Sequence, residues 1–168
     1  MKYLPTAALL LVTALVAACG SKPSLITRPD PVPVGLDLTG EWVQTGSSGI
    51  SQPGARDTAV HVFFKTGKSL KISQTDDGLF VSFDRSVVEE YRFRENRVIN
   101  IGEIKAERAS GWAENGYIIE TLDEDGALLT DTYRLRNDGE SLRRTILLQD
   151  RNKELLSLQI EFDRAWQE

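Results

Sequence analysis

The chain has 168 residues, 40% of them hydrophobic and 27% charged, with a net charge of −5 at pH 7. That balance describes a folded globular domain, and a surface on which both signs alternate offers no attraction to nucleic acid or to anionic headgroups. A single cysteine and a single histidine exclude a disulfide framework and leave no soft-ligand cluster for a metal.

The first predicted element is an export signal over residues 1–18. Lys2 precedes an apolar run from Ala7 to Ala18, too short to span a bilayer as a mature helix, and small residues close it. The segment Leu15-Val16-Ala17-Ala18-Cys19 resembles the lipobox of bacterial lipoproteins. The resemblance implies that Cys19 is acylated, that residues 1–18 are removed, and that Cys19 becomes the new N-terminus. The alternative is an ordinary cleavable signal beside a chance cysteine. With Cys19 acylated no thiol is left, so stability rests on packing and sheet hydrogen bonds. Each buried CH₂ of an acyl chain contributes roughly 0.8 kcal/mol, and two or more chains anchor stably.

Residues 19–36 form a tether beginning at the lipidated Cys19. Pro23, Pro29, Pro31 and Pro33 favour extended backbone, at roughly 3.1 Å per residue. Gly20, where enterobacterial sorting rules place Asp for retention, implies the outer membrane by the same resemblance, with the domain facing the periplasm.

Residues 37–168 read as one all-β domain. Alternating runs near 41–45, 59–64, 69–74, 79–84, 88–94, 97–101, 104–109, 117–122, 127–136, 141–149 and 154–163 predict strands. Asp76-Asp77-Gly78, Asn115-Gly116, Asp125-Gly126 and Asn137-Asp138-Gly139 supply turns between antiparallel neighbours. Val87 to Glu90 and the last residues, Arg164 to Glu168, are the only places for a helical turn. A meander of this length closes or splits to hide its edges, so the predicted fold is an antiparallel up-and-down barrel. Residues 46–58, Gly-rich and aperiodic, read either as a lid over the barrel mouth or as a plain surface loop.

Strand parity defines an inside. Leu70, Ile72 and Gln74 share a face, as do Leu79, Val81 and Phe83, and Tyr91 and Phe93. Later rows are Leu129, Asp131, Tyr133 and Leu135; Leu142, Arg144, Ile146 and Leu148; and Leu156, Leu158, Ile160 and Phe162. Gln74, Asp131 and Arg144 interrupt apolar rows. They read as an internal Asp131–Arg144 pair, as the result of an extra bulge that shifts parity, or as polar contacts to a ligand headgroup. The candidate ligand-binding residues are Gln74, Tyr91, Phe93, Asp131 and Tyr133.

Leu38-Thr39-Gly40-Glu41-Trp42 resembles the Gly-x-Trp opening of lipocalins and related calycin barrels. The resemblance implies that Trp42 sits at the closed end with an arginine from a late strand packed over it. Arg144 is the expected partner, Arg143 the alternate, so Gly40, Trp42 and Arg144 are the expected barrel-closing set. The chain departs from lipocalins in lacking a clear helix before its last strand and in having more than eight strand-like runs. Gly111-Trp112, Glu120-Thr121 and Phe162-Asp163-Arg164-Ala165 are similar to segments of small proteobacterial lipoproteins of unknown function.

Nothing points to catalysis. His61 lies in an apolar run, without a nucleophile in reach of a triad pattern, and reads as a strand residue. Asp76-Asp77 and Asp123-Glu124-Asp125 fall at turns, where carboxylates cap backbone more often than they bind Ca²⁺. No carboxylate pair stands out as a glycosidase acid and base. No metal or cofactor is expected. The expected function is a non-enzymatic outer-membrane lipoprotein whose barrel binds a small hydrophobic or amphipathic molecule. The alternative is an accessory lipoprotein docking on an envelope protein complex, with Trp112, Tyr117 and Trp166 as candidate anchors.

Overall fold

The computed structural model describes residues 25, 32–113, 116–151 and 153–165. Cys19, the signal segment, most of the tether and Trp166 lie outside them. The strands are β1 (Gly40–Ser51), β2 (Ser69–Gln74), β3 (Gly78–Phe83), β4 (Val87–Arg92), β5 (Glu95–Ile101), β6 (Ile104–Ala113), β7 (Gly116–Asp123), β8 (Ala127–Arg136), β9 (Ser141–Asp150) and β10 (Lys153–Arg164). They form one sheet in the order β4-β3-β2-β1-β10-β9-β8-β7-β6-β5. Every neighbouring pair is antiparallel. The sheet curls into a nearly closed up-and-down barrel, the predicted fold.

Order and register explain the shape. The first and last strands pair, so the seam of the chain ends lies in the middle of the sheet. The sheet's two free edges are β4 and β5, consecutive strands joined at Phe93-Arg94. Turns β2–β3, β4–β5, β6–β7 and β8–β9 share the end of the barrel where β1 starts. At the β8–β9 turn Asn137, Asp138 and Gly139 all take positive φ, of 50°, 53° and 93°. Asn, Asp and Gly adopt that conformation at least cost.

The core holds the predicted rows. Leu70, Ile72, Leu79, Val81, Phe83, Leu129, Leu142, Ile146, Leu148, Leu156, Ile160 and Phe162 are buried. Leu158 and Leu135 pack partly buried against them. A bulge between Glu154 and Leu156 turns Leu155 inward beside Leu156.

Two predicted elements differ. The run 59–64 is not a strand: Ala59–Phe63 is a 3₁₀ turn following another at Ala55–Asp57. Its apolar alternation seats Val60 in the core from above the barrel end, where no strand offers an edge to pair with. The stretch 46–58 is not structureless either. β1 continues through a bulge at Thr45 and pairs with β10 as far as Ser51–Leu156, and only the remainder caps the mouth.

Candidate functional site

The two ends of the barrel are built differently. At the closed end Trp42 is fully buried and its indole Nε1 donates to the Leu38 carbonyl at 3.1 Å. The arginine over its ring is Arg164, 4.3 Å from the ring centroid. Neither Arg144 nor Arg143 takes that place. Trp42 stands opposite Arg164 in the β1–β10 ladder, whereas Arg144 stands opposite Ile160, further into the barrel. Arg164 is held by the Thr39 carbonyl at 2.7 Å and the Gly139 carbonyl at 3.1 Å. Gly40 makes room for it: a Cβ there would lie 2.5 Å from Arg164 Nη1.

Gln74 belongs to this end. Its Oε1 accepts from Leu38 N at 3.0 Å and its Nε2 donates to the Leu36 carbonyl at 3.1 Å. Phe93 also lies here, 5.6 Å from Trp112 and 5.5 Å from Tyr117 between ring centroids. Gln74 and Phe93 are thus structural at the closed end, apart from the other candidate ligand residues. Trp112 and Tyr117 are buried in the same aromatic plug, so neither is an exposed docking anchor.

The remaining candidates meet in the interior. Arg144 Nε donates to Asp131 Oδ1 at 2.9 Å, and Nη2 to Oδ2 at 2.6 Å. Tyr133 Oη donates to the same Oδ2 at 3.3 Å. The guanidinium lies between the rings of Phe83 and Tyr133, 4.9 and 5.2 Å from their centroids. The internal ion pair expected from parity is therefore present. Arg144 is 1% exposed, and its Nη1 has no hydrogen-bond partner among the described residues. Burial pushes the hydroxyls of Tyr91 and Tyr133 far above their ordinary range, with the Asp131 charge adding to it. Both stay neutral.

Beside this cluster is a small, largely enclosed cavity of about 20 Å³, lined by Phe63, Glu89, Tyr91, Arg108, Ile119, Thr121, Leu129 and Asp131. It reaches from Asp131 to Glu89 and Arg108, on the side of the barrel that no backbone ladder closes. Side chains bridge that side. Arg108 Nη2 donates to the Glu90 carbonyl at 3.0 Å, and the hydroxyls of Ser110 and Tyr117 donate to the Arg92 carbonyl at 2.9 and 3.2 Å. Glu95 organises the bridge. It accepts from Arg108 Nε and Nη2, the Arg92 amide and Arg97 Nε, and its Oε2 lies 3.1 Å from Ser110 Oγ, whose one proton the Arg92 carbonyl shares. Burial opposes its charge, but the Arg97 hydrogen bond and the Arg108 guanidinium outweigh that and hold its carboxyl below the usual range.

The cap over the open end is pinned by one carboxylate. Asp123 Oδ2 accepts from Val60 N at 3.1 Å and Oδ1 from Ala127 N at 2.8 Å. Asp123 thus serves a turn and the cap. His61 is on this cap, not on a strand. Burial first, then Arg56 and Lys65, lower its pKa, so it is neutral near pH 7. No group of three or more metal-ligating side chains occurs among the described residues.

Glu95, Arg108, Ser110 and Phe63 were not among the residues singled out from the sequence, and Thr121 was named only in a segment of resemblance, without a role. The inward parity of Arg108 and Ser110 in β6 was the available signal. Glu95 gave none, since it sits in a turn-like Glu-Asn pair.

No family model and no curated protein matches the chain. Solved structures do. Apo lipid binding protein 8 of Caenorhabditis elegans matches with a TM-score of 0.53 at 14% identity, over 76% of this chain and 95% of that one. Fatty-acid-binding protein 1 of Echinococcus granulosus gives 0.53 at 12% identity, over 76% and 97%. A Schistosoma mansoni fatty acid binding protein in complex with arachidonic acid gives 0.52 at 9%, over 77% and 96%. The chain has the fold of these barrels.

Proposed function

We propose that the protein is a non-enzymatic carrier whose barrel takes up a small hydrophobic or amphipathic molecule. The observation that supports it most is the buried Tyr91–Asp131–Tyr133–Arg144 cluster, with a donor left unpartnered among the apolar rows of the barrel. A core selected for stability alone gains nothing from an internal ion pair, since apolar residues of similar volume serve as well or better. The fold's resemblance to barrels that bind fatty acids agrees with it. The enclosed space is too small for such a molecule, because ligand pockets run to roughly 300–1,000 Å³. Uptake therefore requires the interior to open, and the Glu95 bridge between β4 and β6 together with Phe63 of the cap is where it gives way. Native mass spectrometry of protein purified from its own membranes tests this. The expected result is an added mass of lipid size that organic solvent removes. Protein that is always empty, and stays empty when offered lipid extract, overturns it.

The site of action in this proposal is the periplasmic face of the outer membrane, with Cys19 acylated. Cys19→Ser is expected to move the protein from the membrane to the soluble fraction, and retention in the membrane fraction contradicts lipid anchoring.

A second reading, an accessory lipoprotein docking on an envelope complex, has one observation in its favour. Val88 and Val98 are 63% and 65% exposed, and Phe80, Val87 and Ile101 are each 40% exposed, all on strands next to or at the free sheet edges. Reproducible cross-links to one envelope protein from this face, combined with an empty barrel, favour it over the carrier.

A further inference from the structure

We propose that the barrel selects amphipaths with an uncharged polar head, a hydroxyl or an ester or amide carbonyl, over free carboxylic acids. The inference rests on the carrier reading and specifies its ligand.

The charges around the interior decide it. Asp131 neutralises Arg144 through bonds of 2.6–3.2 Å. Its oxygens also accept from Tyr133, so it has little further capacity. The next guanidinium, Arg108, is taken by Glu95 at 3.0 and 3.1 Å. Glu89 lines the outer part of the cavity and adds negative charge. Arg108, the cation on the cavity wall, thus already has its anion, and so does Arg144, which is bound to the lining Asp131. A carboxylate buried there would bring a net negative charge into a low-dielectric interior without a countercharge, which is strongly unfavourable. The cluster still offers something to a neutral head. Arg144, bound to the lining Asp131, keeps Nη1 as a buried donor without an acceptor, and leaving such a donor unmet costs free energy that a carbonyl or hydroxyl oxygen restores if it reaches Nη1 once the interior opens. Thr121 and Tyr91 add hydroxyls on the cavity wall. A hydroxyl head suits this mixed lining because it both donates and accepts.

The test is a competition on the full chain in detergent, cleared of bound lipid, at about pH 8, where a carboxylic acid is ionised. Equal amounts of hexadecanol, monohexadecanoylglycerol and hexadecanoic acid are offered, and occupancy is read by native mass spectrometry. The neutral compounds are expected to exceed the acid by about tenfold or more, as an uncompensated buried anion implies. Equal or greater occupancy by the acid overturns the inference and leaves the carrier reading standing. Absence of binding by all three overturns the carrier reading and this inference with it. Asp131→Asn gives the converse. With Arg144 no longer neutralised, the acid is expected to become the preferred ligand. An unchanged ranking in a variant whose circular dichroism matches the parent overturns the charge argument, and the comparison on the unmodified chain does not depend on that variant folding.

Discussion

Arg144 is buried with a single countercharge, Asp131, so removing one member of the pair and removing both have different consequences. Arg144→Met leaves Asp131 as a buried charge held only by a phenol, and the expected loss is about 3–5 kcal/mol, read by chemical denaturation. The double change Asp131→Leu with Arg144→Met removes both charges and is expected to recover most of that loss. If the double variant is as unstable as the single, the pair contributes packing and not charge balance. Trp42 is a simpler case. It is completely buried beneath Arg164, and Trp42→Ala is expected to cost about 3–5 kcal/mol; an unchanged denaturation midpoint would mean the floor is closed by something else. These two arginines also mark where sequence reading stops. Alternation alone turns Arg144 inward, and it does face in. Alternation says nothing about depth along the barrel, which depends on the pairing of β1 with β10, residues more than a hundred apart in the chain. Trp42 therefore acquires Arg164, a residue whose local pattern gives no hint of that role.

At the scale of elements, the cap and the bridge are the parts that tertiary contacts decide. Ala59-Val60-His61-Val62-Phe63 alternates like a strand, yet it folds as a 3₁₀ turn because Asp123 captures the Val60 amide and the core takes the Val60 side chain. The β-branched pattern was legible; the partner was not. Asp123→Ala leaves the Val60 and Ala127 amides without acceptors, at about 1–3 kcal/mol for a buried donor. The expected sign is faster amide exchange at residues 55–63 and at the β7–β8 turn, while β9 and β10 stay protected. The bridge adds a pH dependence. Glu95 has its pKa lowered in the fold, so its contribution is complete above the ordinary carboxylate pKa and is lost as pH falls through the lower folded value. His61, with its own pKa lowered, acts in the same direction at milder acidity, because the fold prefers its neutral form and stability falls once pH drops below the unfolded value near 6.5. Acidification is thus expected to loosen the cap first and the β4–β6 bridge afterwards. Exchange at 59–63 and 87–92 followed against pH checks the order, and Glu95→Gln should remove the second step only.

For the whole molecule, the order of strands reverses the usual expectation about where a chain opens. Terminal segments commonly fray, but here β1 and β10 pair with each other and each has a second neighbour, so both lie inside the sheet. The free edges belong to β4 and β5, in the middle of the chain. Their outer ladders are unmade, β5 is exposed along most of its length, and side chains rather than a backbone ladder tie this side together, Glu95, Arg108, Ser110 and Tyr117 by hydrogen bonds and Phe93 by its contact with Trp112 and Tyr117. Regions with few buried contacts and unprotected backbone open at the lowest free energy. Amide exchange under native conditions is therefore expected to be fastest at 84–101 within the barrel and slowest in β8, β9 and β10. The same side is the only place among the described strands where the wall can part without breaking a ladder of backbone hydrogen bonds. A bound amphipath would fill the space behind it and slow exchange at 84–101 in particular. Uniform slowing across all strands would instead mean that the ligand stabilises the barrel globally, and that uptake does not pass through this gap.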